Sequence, residues 1–394
     1  MWYLDAAATA GYTDVDNIVV DAMISAMTRH WQNPSSLYAT DVKDKINNCR
    51  ANIAKFIGAN PDEIIFTSGA SESNNMAIRG WVDEELSGGY RMATVVTTPI
   101  EHKSILNVVD SECLRSSVRY CAVDNLGFVN IPSLKSMMWL SEDYPTLVSI
   151  GMANNEIGTV QNIQEIADIV HEYGGVLHVD ATQAFGHIPI DVKELGIDMM
   201  SVSGHKISPV LKGVGFLYKN NNVNIRPLIY GNQENGLRGG TENTFGIMGL
   251  SKAIEYCDVS QERINEMCQK RDYFINLLKS RFDKFGCGVK LNGCSTNRLP
   301  NNINVTFPHN ITGEALLYTL DLDGIMIGTG SACNNTSIAP SHVLKAIGLT
   351  DEEAMRTVRL TLSDDITYED IDYVVEQIDK AIRIIESVGG AANV

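Results

Sequence analysis

The chain has 394 residues, 44% hydrophobic and 20% charged, a soluble globular composition in a length that calls for two domains. Its formal net charge of −17 argues against general binding of nucleic acid or anionic membrane, which needs a basic surface, and leaves room for a basic protein partner. The opening "MWYLDAAATAGYTD" lacks a basic leader and is broken by Asp5, and no run reaches the roughly eighteen apolar residues of a membrane span.

From about residue 40 to 220 helical and strand patterns alternate. "DVKDKINNCRANIAKFIG" (41–58) sets Val42, Ile46, Ile53 and Ile57 at helical spacing. "EIIFTS" (63–68) predicts a strand, "SESNNMAIRGWVDEEL" (71–86) a helix, "ATVVTTP" (93–99) a strand, and "HKSILNVVDSECL" a further helix. The strands "TLVSIGMA" and "GVLHVD", with the helix "IQEIADIVHEYG" between them, lead on to "DMMSVS" and "GVGFLY". Short β-branched runs between amphipathic helices predict a mainly parallel sheet covered by helices. Past about 250 a long helix, "SQERINEMCQKRDYFINLLKSRF" (260–282), precedes the strands "NNINVTF" and "TVRLTLS" and a closing helix, "YEDIDYVVEQIDKAIRIIESV". The expected organisation is a large domain over 15–255 and a small α/β domain over 256–394, joined by residues 1–14.

The eight cysteines are Cys49, Cys113, Cys121, Cys257, Cys268, Cys287, Cys294 and Cys333. None pairs at CxxC spacing and no histidine stands at finger-like distance, so no metal site is expected. The chain is expected in the cytoplasm, where thiols stay reduced, with most of these as small buried hydrophobes. Cys333 differs, because "GSACNNTS" (330–337) surrounds it with small polar residues.

Ligands of open parallel sheets bind beyond the carboxyl ends of the strands. The residues placed there are Gly69-Ala70-Ser71, His102, Asn154-Asn155-Glu156, Asp180 with Gln183, and Ser203-Gly204-His205-Lys206. Any one of them reads equally as a helix cap or a surface group. Together they are the parts that hold pyridoxal phosphate. A lysine forms the Schiff base, an acid keeps the pyridine nitrogen protonated, a helix N-terminus cradles phosphate, and an imidazole stacks on the ring and moves protons.

At these residues the sequence resembles the NifS/IscS-like cysteine desulfurases, class-V members of the fold-type-I pyridoxal-phosphate transferases. The shared motifs are "YLDAAAT", "NPSSLY" (33–38), "FTSGASESNN" (66–75), "EHKSIL" (101–106), "ANNEIGTVQ" (153–161), "HVDATQAFGHIPID" (178–191), "SVSGHK" (201–206), "LRGGTEN" (237–243) and "GTGSACNNTSIAPSHVLKAIG" (328–348). They stand in family order from residue 3 to about residue 380.

The resemblance implies a catalytic set of Lys206 as the Schiff-base lysine, His102 as stacking acid/base and Cys333 as nucleophile. Asp180 would meet the pyridine nitrogen and Gln183 the phenolic oxygen, with Ala70, Ser71, Ser203 and His205 around the phosphate. Thr241 would reach the phosphate of a neighbouring subunit, which implies a homodimer. Asn155, which also lies at the cofactor, and Arg359 would hold the carboxylate of L-cysteine. The implied reaction converts L-cysteine to L-alanine and leaves a persulfide on Cys333 for an acceptor protein, such as an iron–sulfur scaffold or a thiolation enzyme. An ordinary thiol, with a pKa of about 8.5, is mostly protonated at neutral pH, and His102 is the expected base. The alternatives are a selenocysteine lyase or another class-V lyase or aminotransferase, and an inactive scaffold of the same fold.

The sequence departs from the family in five places. Ser71 replaces a threonine and keeps the hydroxyl. "ISPVLKGVG" after Lys206 is one residue longer than usual, Asn335 replaces a serine, and Ser363 a glycine. The ending "ESVGGAANV" is not the tail with which housekeeping enzymes engage their scaffold, so the acceptor is left open.

Overall fold

The computed structural model describes residues 1–111, 114–282, 288–308, 311–329 and 339–391, without the side chains of 388–391. Its strands, in chain order, are β1 (Trp2–Leu4), β2 (Ile64–Thr67), β3 (Thr94–Thr97), β4 (Ser117–Tyr120), β5 (Thr146–Gly151), β6 (Val176–Asp180), β7 (Met199–Ser203) and β8 (Gly215–Lys219). They continue with β9 (Lys290–Leu291), β10 (Asn302–Thr306), β11 (Ile325–Ile327) and β12 (Thr357–Thr361).

The large sheet has seven strands in the order β2-β8-β7-β6-β5-β3-β4. Four of its six pairings are parallel, and the two made by β8 are antiparallel. β8 runs back alongside β7, joined to it by residues 204–214, a connection without the long crossover helix that a parallel pairing needs. β2, antiparallel to β8, then runs with the rest, so every strand but β8 ends at the same edge. Asp180 lies opposite Gly151 on β5 and Ser201 on β7, at that edge.

Strand alternation divides the apolar residues between the two faces of the sheet. Phe66, Val148, Met200, Val202 and Phe216 join one core, with Ile53 and Phe185. Their neighbours Ile65, Leu147, Met199 and Leu217 join the other, under Ile78 and Trp81 of the helix Ala70–Ser87. Each such side chain, fully buried, contributes about 1.5–3 kcal/mol. This two-sided burial is why the strands read as continuous apolar runs.

A separate core holds Leu4, Phe274, Val305, Leu320, Leu360 and Ile378. Around it stand the antiparallel sheet β12-β10-β9, the parallel pair β1-β11, and the helices Gln261–Phe282 and Tyr368–Ala391. The first residues of the chain thus belong to its last third. Trp2 fixes them there, stacked on Tyr373 at 4.3 Å with its indole N–H donated to Asp370 at 2.8 Å. Among the described residues no helix is long and apolar enough to cross a membrane.

One element is shorter than its pattern. The helix expected through "HKSILNVVDSECL" spans Lys103–Val109. It stops at Asp110, whose carboxylate accepts the Tyr120 hydroxyl from β4. Cys113, Cys287 and Cys333 lie outside the described residues, and the other five cysteines are free thiols.

Candidate active site

The strand ends open onto a cleft of about 600 Å³. Its walls include Ala70, Ser71, His102, Asn155, Asp180, Gln183, Ser203, His205, Lys206 and Arg359, so ten of the residues picked from sequence meet in one cavity. Thr241 is exposed elsewhere, and Cys333 lies outside the described residues.

Lys206 ends the turn Gly204–Lys206 that follows β7. A Cβ on Gly204 would sit 3.0 Å from both Leu211 Cβ and the Val214 carbonyl, so this turn needs the bare backbone. Lys206 Nζ donates to the carbonyls of Ala7 at 2.5 Å and Ala8 at 2.8 Å, and Gln183 Nε2 donates to Ala7 at 3.0 Å. The longer stretch after the lysine is well anchored. Ser208 N–H donates to the Gly204 carbonyl at 3.1 Å, and the Ser208 hydroxyl donates to Asp16, a buried carboxylate that also accepts the N–H of Thr13.

Asp180 is held from two sides. Asn74 Nδ2 donates to its Oδ2 at 2.8 Å, while the Thr182 N–H donates to Oδ1 at 3.0 Å and the Thr182 hydroxyl donates to the same oxygen. Behind it, and fully buried, His178 bridges Ser149 at 2.8 Å and Ser201 at 2.9 Å across three strands. Burial pushes this imidazole down to about 4, although Asp180 pulls the other way. It is a neutral brace.

His102 caps the helix Lys103–Val109, with Nδ1 accepting the Ser104 N–H at 3.1 Å and lying 2.8 Å from the Ser104 hydroxyl. Burial holds the imidazole below its ordinary range; Asp180 opposes this, and Lys206, His342 and Lys103 reinforce it. His205 goes down to about 4, through burial first and then through Lys206, Lys212 and His102.

The helix Ala70–Ser87 begins at Gly69, whose φ of +147° suits glycine, and a Cβ there would come within 3.2 Å of Ser203 Oγ. The N-terminus of this helix, Ser71, Ser203 and His205 all line the cleft, a donor set suited to an anion. Arg359 enters from β12 and is buried. Its Nη2 pairs with Asp5 at 2.6 Å and its Nη1 donates to the Asn155 carbonyl at 3.2 Å.

Sequence reasoning missed Glu101, Asn74, Ser104 and Thr182. Glu101 lies in the cleft wall, accepting the Thr98 hydroxyl at 2.6 Å and the Gly151 N–H at 2.7 Å, and burial pushes its carboxyl up to about 8. The signal was present in the motifs, since Asn74 stands in "FTSGASESNN" and Ser104 in "EHKSIL". Polar residues inside helices are ordinarily read as surface.

The class-V aminotransferase pattern matches residues 2–374. The chain belongs to this family. Over 391 residues it is 42% identical to "Cysteine desulfurase IscS" of Dictyoglomus turgidum, covering 98% of this chain and 95% of the relative. A solved "NIFS-LIKE PROTEIN" superposes with a TM-score of 0.85 at 33% identity, covering 97% of this chain and 99% of the other. "SspA in complex with cysteine" superposes with a TM-score of 0.78 at 34% identity, covering 92% and 99%. Among the described residues of this class-V chain, no group of three or more His, Cys, Asp or Glu could hold a metal ion.

Proposed function

We propose that the chain is a pyridoxal-phosphate-dependent cysteine desulfurase that converts L-cysteine to L-alanine and passes the sulfur on as a persulfide of Cys333. The observation that carries this reading is the convergence of Lys206, His102, Asp180, Gln183, Ser203, His205 and Arg359 on one cleft. Their donor chemistry fits the cofactor: a carboxylate for a pyridinium, an amide for a phenolic oxygen, an amine for an aldehyde, and a helix N-terminus for phosphate. Bound there, pyridoxal phosphate supplies an electron sink for the bonds to the substrate's α-carbon.

The chain's own groups do the rest. Asp180, oriented by Asn74 and Thr182, holds a proton on the ring nitrogen. Ala70, Ser71, Ser203 and His205 seat the phosphate, with Thr241 of a second copy. Arg359 and Asn155 orient the substrate carboxylate, the guanidinium through its planar fork. In the sulfur step the C–S bond of cysteine breaks and an S–S bond forms to the Cys333 thiolate. The C–S electron pair stays with carbon, which takes up a proton and leaves as alanine.

We place Arg359 and Cys333 on a small domain over 256–394, joined by residues 1–14 to a cofactor-binding domain over 15–255. The working unit is a homodimer. Large apolar side chains left in water, among them Trp31 at 72%, Leu37 at 98%, Tyr38 at 80% and Tyr230 at 78%, suit burial against a second copy. The free thiols suit a reducing, cytoplasmic setting. The sulfur passes to an acceptor protein of an iron–sulfur or thiolation pathway.

The test is to incubate the protein with pyridoxal phosphate, L-cysteine and a reducing thiol, and to measure alanine and sulfide. Wild type should form both in equal amounts, Lys206→Ala neither, and Cys333→Ala alanine at a small residual rate. Full activity in Cys333→Ala would overturn the nucleophile, and a keto acid in place of alanine would make the chain an aminotransferase.

A further inference from the structure

A continuous hydrogen-bond chain links the two groups assigned to the cofactor ring. Asn74, fully buried, donates one Nδ2 hydrogen to Asp180 Oδ2 at 2.8 Å and the other to Ser104 Oγ at 2.8 Å. Having accepted there, the Ser104 hydroxyl has its own hydrogen to give, and His102 Nδ1 lies 2.8 Å away. The Ser104 backbone N–H, in the first turn of the helix Lys103–Val109, points at the same nitrogen from 3.1 Å. A backbone N–H has no lone pair, so it can only donate. The backbone donor therefore requires an unprotonated Nδ1, to which the hydroxyl can then donate as well, and a neutral imidazole must carry its hydrogen on Nε2.

We propose that Asn74 and Ser104 are positioning residues that fix His102 in the tautomer with its hydrogen on Nε2, so that His102 meets the cleft as a hydrogen-bond donor. In this tautomer Nε2 presents a hydrogen to the cleft. Protonation at Nδ1 would break the bond from the backbone N–H, turn the Ser104 hydroxyl round, and oppose the partial positive charge of the helix N-terminus, so the imidazolium is disfavoured as well. The charged and titratable groups that face His102 are Asp180, Lys206, His342 and Lys103, with His205 across the turn. Only Asp180 favours the cation, and Asn74 and Thr182 already engage both of its oxygens.

The placement of His102 on a cofactor rests on the desulfurase reading, but the tautomer belongs to the protein and is read without turnover. Holoenzyme carrying ¹⁵N-histidine is examined by long-range ¹H–¹⁵N correlation from about pH 4 to 8, so that a midpoint below the ordinary histidine range is reached, with His102→Gln to identify the resonances. Nδ1 should report an unprotonated nitrogen and Nε2 a protonated one, with no conversion to imidazolium through the ordinary histidine range near pH 6.5. Ser104→Ala, which removes one donor and leaves the backbone N–H, should raise the titration midpoint by at least half a unit, and Ser104→Thr should restore it. Asn74→Leu should act in the same direction as Ser104→Ala. Because Asn74 is buried, the Ser104 pair decides the matter if that variant does not fold. Hydrogen found on Nδ1, or a midpoint that ignores Ser104→Ala, overturns the proposal. If alanine never forms but the tautomer is as stated, the desulfurase reading falls and this one stands.

Discussion

Glu234 offers a quantitative test of how the stretch that carries Thr241 is held. Its side chain is 2% exposed and accepts Arg50 Nη1 and Nη2, both at 2.8 Å, and the Phe66 N–H at 2.8 Å. The backbone at Glu234 and Asn235 has φ of +48° and +56°, left-handed values that a side chain adopts at some cost. Replacing Glu234 by alanine leaves a guanidinium, itself 16% exposed, and a backbone N–H on β2 without their partner. Breaking such a pair costs about 3–5 kcal/mol. The lower end applies here, because Arg50 keeps its bond to the Ile64 carbonyl and its stacking over Phe66 at 4.7 Å. For a domain of this size about 3 kcal/mol lowers Tm by roughly 6–12 °C. The assay is thermal and urea unfolding of wild type, Glu234→Ala, Arg50→Met and the double variant. The double variant should be less destabilised than the sum of the singles by at least ~1 kcal/mol, since it leaves no charge buried alone. A Glu234→Ala loss under ~0.5 kcal/mol, or strict additivity, would refute the reasoning.

Three further outcomes follow from the site. Glu101 keeps its proton in the folded state up to about 8, against 4.5 in the unfolded chain, so the folded state binds more protons between these values and stability falls as pH rises through them. Urea midpoints at pH 5, 7 and 9 should drop for wild type and stay nearly flat for Glu101→Gln; equal slopes would remove the burial argument. Ser208→Ala strips one donor from the buried Asp16 and should cost about 1–3 kcal/mol by urea unfolding, while Ser208→Thr retains most of that stability. In Gly328→Ala the new Cβ would lie 2.5 Å from Asp5 Oδ1 and 2.9 Å from Arg359 Nη2. Initial rates should show KM for L-cysteine raised roughly ten-fold or more, with a smaller change in kcat; an unchanged KM would separate Arg359 from substrate binding.

The site was legible where chemistry sits at a strand end. Ala70, His102, Asn155, Asp180 and Lys206 each follow an apolar run of period or length typical of a buried strand, and the parallel sheet brings those ends together. Asn74 and Ser104 were not legible, because they lie inside helices and their partners are remote in sequence. Their meaning depends on the crossing of Ala70–Ser87 with Lys103–Val109, which local periodicity does not encode. Glu101 was hidden for a related reason: a carboxyl next to a histidine reads as solvated until the Thr98 hydroxyl and the Gly151 N–H are seen to enclose it. The carbonyls of Ala7 and Ala8 carry no side-chain signal at all. Thr241 shows the converse, a residue picked by its motif that its own chain leaves outside the cleft.

Pairing Trp2 with Ile325 has a consequence for biosynthesis. Residues 2–4 leave the ribosome long before their strand partner, Ile325–Ile327, has been made. Until then the stretch that carries the carbonyls of Ala7 and Ala8, which receive the Lys206 amine, lacks the anchor that β11 gives it. The wall of the cleft around that lysine therefore gains this support only once β11 has been made, and a ribosome-bound fragment ending before residue 325 should hold the cofactor more weakly than a chain that contains β11.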